Sequence, residues 1–331
     1  MDRIAANAFL TAGLFRQGAA LRAEVTRVSM EMTTGTKADT GAAVRGDFSA
    51  LAAMDHALAR IGGYGAITTE AGLLAEAMQT ALGTLSTAAE DLSGNLLRNL
   101  GLSTPENLTA VTLEGRQKFE AAIAALNTRV ADQSIFAGVA SETAPLPDAD
   151  TILTSLETAL TGVTTAAGAQ AVINDWFDGA TGYAALYQGG AARAALPVAP
   201  GDSVDLPITA LDLALRDTLK GLATVALLDR GLLAGQAEAR AGLAQAAGVS
   251  LASSGTARAT LAARIGTAQA DIADAKARNE AEKTALGLAR NSLVEADPYE
   301  AATRLEDLQS RLESLYLLTS RLSKLKLTDY L

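Results

Sequence analysis

Apolar residues recur along this chain with the period of an α-helix, most clearly at its two ends. Ile4, Asn7, Thr11, Leu14, Gly18, Leu21, Val25, Val28 and Met32 are separated by alternating steps of three and four. This is a heptad register with polar or small residues at Asn7, Thr11 and Gly18. It stops at Thr34-Gly35-Thr36, where the glycine supplies a helix-ending signal. A second stripe, Ile67, Ala71, Leu74, Met78, Ala81, Leu85, Ala88 and Leu92, predicts another long helix. A third is expected over Pro105–Ser134, with Thr104 as its cap and Pro105 in its first turn.

The middle breaks this rhythm. Five of the seven prolines lie between Pro145 and Pro207, together with Trp176. Tyr183–Tyr187 followed by Gln188-Gly189-Gly190 reads as a short strand and turn, and Ser203–Leu206 as a second strand. Helical spacing then returns at Leu261, Ile265, Ala268, Ile272, Ala275, Asn279, Glu282, Leu286, Ala289 and Leu293. Asn279 and Glu282 interrupt that stripe, either because it slips locally or because a polar group there specifies pairing.

The last helix announces itself most clearly. Asp297 can accept hydrogen bonds from free first-turn amides, Pro298 fills the first helical position, and Glu300 stands in capping-box position. Leu305, Leu308, Leu312, Leu315, Thr319 and Leu322 follow at heptad spacing, and Leu318 and Leu325 widen the stripe. The expected fold is mainly α: a long antiparallel coiled-coil trunk formed by the N- and C-terminal segments, with a small mixed α/β insertion. Residues 1–35 and 297–331 would be the terminal coiled-coil helices, 36–140 and 208–296 the helical trunk, and 141–207 a solvent-facing insertion. The seam of Ile4, Leu14, Leu21, Val25, Val28, Leu305, Leu308, Leu312, Leu315 and Leu322 must be covered by something. Three covers fit the pattern: the two ends pairing with each other in an antiparallel coiled coil, neighbouring subunits in a polymer, or a plain monomeric helical bundle.

Composition narrows the chemistry. With 331 residues and 49% hydrophobic content, the chain can bury a substantial core. No aromatic residue occurs between Tyr187 and Tyr299, so the core there must come from small aliphatic side chains on closely approaching helices. There is no cysteine and one histidine, which removes thiolate catalysis, zinc–cysteine sites and paired Glu-x-x-His di-iron ligands. The histidine, in Met54-Asp55-His56-Ala57-Leu58, has no Gly-x-Ser-x-Gly elbow to serve and reads as a helix-surface residue. Glycine-rich nucleotide cradles are missing as well. No catalytic, cofactor-binding or metal site is therefore expected, and an enzyme built on a helical bundle is disfavoured. The net charge of −10, from 37 acidic and 27 basic residues, argues against nucleic acid or an anionic membrane as partner. Between Val130 and Ala192 there are seven carboxylates and no Lys or Arg, which reads as a solvated surface. The longest apolar run, Gly221–Leu228, is too short to span a bilayer, and residues 1–7 lack the pattern of a cleavable signal peptide.

Several segments resemble the flagellin superfamily, the proteins of the bacterial flagellar axis. Glu295-Ala296-Asp297 with Tyr299-Glu300-Ala301-Ala302-Thr303-Arg304-Leu305 is similar to the acidic approach to that family's last helix. The closing Arg321-Leu322-Ser323-Lys324-Leu325-Lys326-Leu327-Thr328-Asp329-Tyr330-Leu331 is nearer to the hook-filament junction members than to filament flagellin. Leu126-Asn127 and Ser134-Ile135-Phe136-Ala137-Gly138-Val139-Ala140 resemble the segment that leaves the family's third helix. Met32-Thr33-Thr34-Gly35-Thr36-Lys37 resembles the turn closing its first helix, although Ala38-Asp39-Thr40-Gly41 replaces the family's Ser-Asp-Asp-Pro. The similarity covers residues 1–140 and 208–331.

The resemblance implies a non-enzymatic structural subunit, exported without a cleaved signal through the flagellar type III channel and working outside the cell. It implies self-association in a helical tube, hook-associated protein 1 and flagellin as neighbours, and an export chaperone on the C-terminal helix. It implies no nucleic acid and no membrane insertion. Filament flagellin is the alternative within the family, and a cytoplasmic signalling coiled coil the alternative outside it.

Overall fold

The structure is a computed structural model that describes residues 2–99 and 105–328, with side chains over 12–98 and 106–321. The fold is mainly helical, with long helices packed on one another and two small two-stranded sheets. In chain order the first elements are α1 (Asp2–Thr34), α2 (Thr40–Ala43), α3 (Ser49–Asn99) and α4 (Pro105–Leu126). The strands β1 (Arg129–Val130) and β2 (Gln133–Ser134) follow, then α5 (Ala149–Ala159), α6 (Ala166–Asp178) and α7 (Tyr183–Leu186). After β3 (Leu196–Ala199) and β4 (Asp202–Val204) come α8 (Leu213–Asp229), α9 (Ala237–Ser253), α10 (Gly255–Val294) and α11 (Pro298–Thr328). Among the described residues no helix is long and apolar enough to cross a membrane.

The chain divides into two units, one of Met1–Gly62 with Ala281–Leu331, the other Gly63–Glu280. The larger unit is built around α8. Leu215, Leu219, Leu222, Ala223, Val225, Ala226 and Leu228 are all fully buried, and over Gly221–Leu228 every position is buried, so this half of the helix is enclosed around its circumference, while Arg216 and Lys220 leave one side of the first half polar. It packs on α4, α9 and α6. Gly115 of α4 lets that approach happen: a methyl group there would overlap the side chain of Val225. The stripe of α3 and the Leu261–Ala275 stripe of α10 bury themselves in the same core.

Two local expectations are corrected. The helix expected over Pro105–Ser134 ends at Leu126, and residues 129–134 form the β1–β2 hairpin. Its two-residue turn, Ala131 (φ 48°) and Asp132 (φ 62°), is left-handed at both positions, a conformation usually signalled by Asn-Gly. Asn127 stabilises the break: its side chain donates to the Leu146 carbonyl at 3.0 Å and accepts from the Leu146 amide at 3.1 Å. The strand read over Tyr183–Tyr187 is instead a helical turn, Tyr183–Leu186. Tertiary packing decides this, because the buried Tyr183 ring stacks on Phe177 at 5.4 Å, and its hydroxyl donates to the Ala210 carbonyl at 2.8 Å. Burial pushes the Tyr183 phenol above its ordinary pKa, so it remains a neutral donor.

The acidic stretch is the exposed surface its composition suggests: Asp132, Glu142, Asp148, Asp150, Asp175 and Asp178 are exposed and Glu157 is half-buried, yet some of these carboxylates also pair with cations. Asp178 meets Lys220 at 2.8 Å and Arg216 at 3.7 Å, while Arg230 pairs with Asp150 and Glu157. All three cations belong to α8 or its C-terminal cap, so the insertion's carboxylates partly serve to seat it on the trunk. Ser203–Leu206, read as a strand, contributes to β4. Thr104, the expected cap of α4, lies outside the described residues.

The segment 134–140 works as the insertion's anchor. Ile135 and Phe136 are buried, the Phe136 carbonyl accepts from the Ala210 amide at 3.0 Å, and Val139 N–H donates to Ala191 at 2.9 Å. Gly138 must be glycine twice over: its φ is +60°, and a Cβ would overlap the Ala191 carbonyl oxygen.

Candidate assembly surface

In the smaller unit α1 and α11 run antiparallel. Gly18 approaches Leu315, Arg22 lies over the Tyr316 ring at 5.8 Å, Glu24 meets Arg304 at 2.9 Å, and Val28 packs with Ala301 and Leu308. As the number on one helix rises, that of its neighbour falls. Among the described side chains the most enclosed cluster is Val28, Ala301 and Leu308, flanked by Leu21, Val25 and Leu305.

The expected seam residues are unequally covered. Val28, Leu308 and Leu315 are buried, whereas Leu14, Leu21, Val25, Leu305 and Leu312 are half-buried. Ile4 and Leu322 lie outside the described side chains. Met32, read as the last seam position of the first helix, is exposed, whereas the neighbouring Glu31 is buried. Leu318, expected to widen the stripe, is 53% exposed. Asp297 caps α11, its Oδ1 accepting from the amides of Tyr299 at 2.8 Å and Glu300 at 3.3 Å. Glu300 sits in the first turn, where a carboxylate is favoured by the helix dipole.

Charged side chains tie the pair together at the same end. Arg304 bonds Glu24, Glu24 bonds Arg27 at 3.0 Å, and Arg27 bonds Glu31 at 3.0 Å. The buried Glu31 also accepts from the Ala38 amide at 3.0 Å. The hydrogen bond from Arg304, aided by Arg27, holds the Glu24 carboxyl below its ordinary pKa against a smaller opposing effect of burial. Sequence reading missed this relay, although Glu24, Arg27 and Glu31 at spacings of three and four carry its signal.

Next to the relay the two linkers are zipped. Thr36 and Glu295 form an antiparallel bridge, with Lys37 N–H donating to the Val294 carbonyl at 2.8 Å and Ala296 N–H to the Gly35 carbonyl at 3.0 Å. An open polar cleft of about 390 Å³ lies alongside, lined by Arg27, Lys37, Asp39, Arg45, Glu300 and Arg304 among others.

Away from the seam, apolar side chains face outward. Phe15 is 66% exposed on α1, and Tyr316, Leu317 and Leu318 each exceed 50% on α11. The antiparallel alignment that sets Gly18 against Leu315 brings Phe15 to the level of Leu318 along the pair. His56 is exposed on α3. Among the described residues no group of three or more His, Asp or Glu could hold a metal ion.

Residues 252–331 match the family described as bacterial flagellin C-terminal helical region. The match spans the end of α9 and all of α10 and α11, so the similarity to that family is confined to the C-terminal quarter of the chain. Two solved structures resemble the fold. A flagellar hook-associated protein from Vibrio parahaemolyticus is 14% identical, with a TM-score of 0.46, covering 73% of this chain and 95% of that one. FlgL from Bacillus cereus is 14% identical, with a TM-score of 0.43, covering 73% of this chain and 96% of that one. No curated protein matches the chain.

Proposed function

We propose that this protein is a structural subunit of the bacterial flagellum that works in the manner of hook-associated protein 3, at the junction between hook and filament. Its neighbours are further copies of itself, hook-associated protein 1 on one side and the first flagellins on the other. The observation that carries this reading is the α1·α11 pair, which lies partly in a flagellin-type region and leaves Phe15, Tyr316, Leu317 and Leu318 uncovered. Fully burying a side chain of this size is worth roughly 1.5–3 kcal/mol, so covering four half-exposed ones supplies a few kcal/mol for association. These outward faces are thus covered by neighbouring subunits rather than within one chain.

In this reading the terminal helices, residues 1–35 and 297–331, form the innermost layer. Residues 36–140 and 208–296 make up the helical trunk, and 141–207 is a solvent-facing insertion. The subunit works outside the cell after export without a cleaved signal, escorted by a chaperone on the C-terminal helix. Deleting the gene tests the junction role: hooks without filaments, and flagellin released into the medium, are expected. Normal filaments in the deletion strain would refute it.

The description of the matched region names flagellin itself, which supports filament flagellin as the second reading. Copy number separates the two, since thousands of copies per flagellum would mean a filament subunit.

A further inference from the structure

Heptad spacing makes α1 and α11 partners, but does not say which residue of one faces which residue of the other. Apolar positions repeat every seven residues, so a pairing slid by one heptad keeps most of its apolar contacts. Register must therefore come from something that does not repeat. Three features at one end of the pair meet that requirement. The Thr36–Glu295 bridge and its two flanking hydrogen bonds tie the linkers at one fixed alignment. Glu31 accepts from the Ala38 amide, pinning the end of α1 to the same linker. The chain of Arg304, Glu24, Arg27 and Glu31 then joins α11 to that pinned end. The enclosed cluster of Val28, Ala301 and Leu308 lies next to these groups, while farther out Leu315 is buried and Leu14 and Leu312 are half-buried.

We propose that Gly35–Lys37 and Val294–Ala296 form a register clasp. It closes within a single chain, ahead of the outer part of the helix pair, and fixes the alignment in which α1 and α11 present themselves to any neighbour. Once the clasp is shut, Val28 and Ala301 are brought together by short tethers, and pairing proceeds outward from there at a much reduced loop-closure cost. The inference concerns the isolated chain and stands independently of the flagellar reading.

The chain has no cysteine, so introduced pairs face no competing thiols. In a non-hydrogen-bonded antiparallel pair such as Thr36 and Glu295, Cα atoms stand about 4.5 Å apart, within disulfide range. Oxidation of the full-length Thr36→Cys/Glu295→Cys variant would be compared with that of Gly18→Cys/Leu315→Cys, each dilute, confirmed as monomer, and corrected for thiol reactivity in the unfolded chain. The clasp pair is expected to close about tenfold faster than the outer pair. Adding Lys37→Pro and Ala296→Pro, which removes both donor N–H groups, should slow the outer pair several-fold, while Lys37→Ala, which keeps its N–H, should leave it unchanged. An outer pair that closes as fast as the clasp pair, or keeps its rate in the double-proline background, would overturn the proposal.

Discussion

Two adjacent residues of α10 reach for the same hairpin, and comparing them isolates what burial does to a polar contact. Arg278 bonds Asp202 at 2.8 Å, but both side chains are more than half exposed. Asn279 is 3% exposed, and its Nδ2 donates to the Val198 carbonyl at 2.8 Å. Val198 is the residue of β3 without a counterpart on β4, since the register passes from Pro197–Ser203 directly to Ala199–Asp202. Asn279 therefore supplies a donor at the bulge. Replacing it with Ala strands a buried carbonyl, a loss of about 1–3 kcal/mol, whereas Arg278→Ala should cost no more than about 0.5 kcal/mol. At roughly 2–4 °C per kcal/mol for a unit of this size, the two variants should separate by several degrees in thermal melts. Hydrogen exchange should localise the Asn279→Ala effect to β3 and β4. Equal losses from the two substitutions, or a larger one from Arg278→Ala, would show that the polar link at Asn279 is incidental and that its stripe merely slips.

Other outcomes follow from the same structure. Gly115→Ala should destabilise by about 1–3 kcal/mol through overlap with Val225. Gly83→Ala, on an open face of α3, should instead stabilise by roughly 0.5–1 kcal/mol, and urea titrations of both variants check the contrast. The Glu24 carboxyl has a lowered folded-state pKa, so its contribution to the α1·α11 pair is full above the ordinary glutamate pKa of 4.5. That contribution should fade as pH falls through the lower folded-state value, and amide exchange in residues 20–31 should show the loss in wild type but not in Glu24→Gln. Phe15→Ser with Leu318→Ser should leave the monomer's melting unchanged within about 0.5 kcal/mol yet abolish polymerisation in light scattering, because both side chains are already exposed.

How much of this was legible in the sequence depends on whether the deciding contact was local. The α3 stripe, the stop at Gly35 and the aspartate before Pro298 were readable because each depends on residues within one or two turns. The hairpin at 129–134 was not, because Ala131-Asp132 carries no turn signal and the helix break is fastened by Leu146, nineteen residues away. Tyr183 looked like a strand residue until its partner, the Ala210 carbonyl, came into view. The exposure of the insertion's carboxylates was legible from composition, but their ion pairs were not, because the cations sit on α8 and its cap, in a later part of the chain. At the assembly surface the seam leucines were visible as a pattern, but the polar groups that align them were not, since Glu31 and the Thr36–Glu295 bridge repeat nowhere and match no heptad.

The two units differ in what a single chain can finish. In the larger one, α8 packs against α4, α6 and α9, and its Gly221–Leu228 stretch finds full cover within the same chain. In the smaller one, α1 and α11 are two cylinders, and two cylinders can share only one line of contact. Side chains such as Phe15 and Leu317, directed away from that line, have no third helix of the pair to meet. Substituting polar residues on the outward faces should then raise the solubility of the chain while leaving the trunk's stability intact. Doing the same at Val28 or Leu308, inside the line of contact, should unpair the helices even in dilute solution. If both sets of substitutions behaved alike, the outward apolar residues would belong to the fold of one chain, and no neighbour would be needed to explain them.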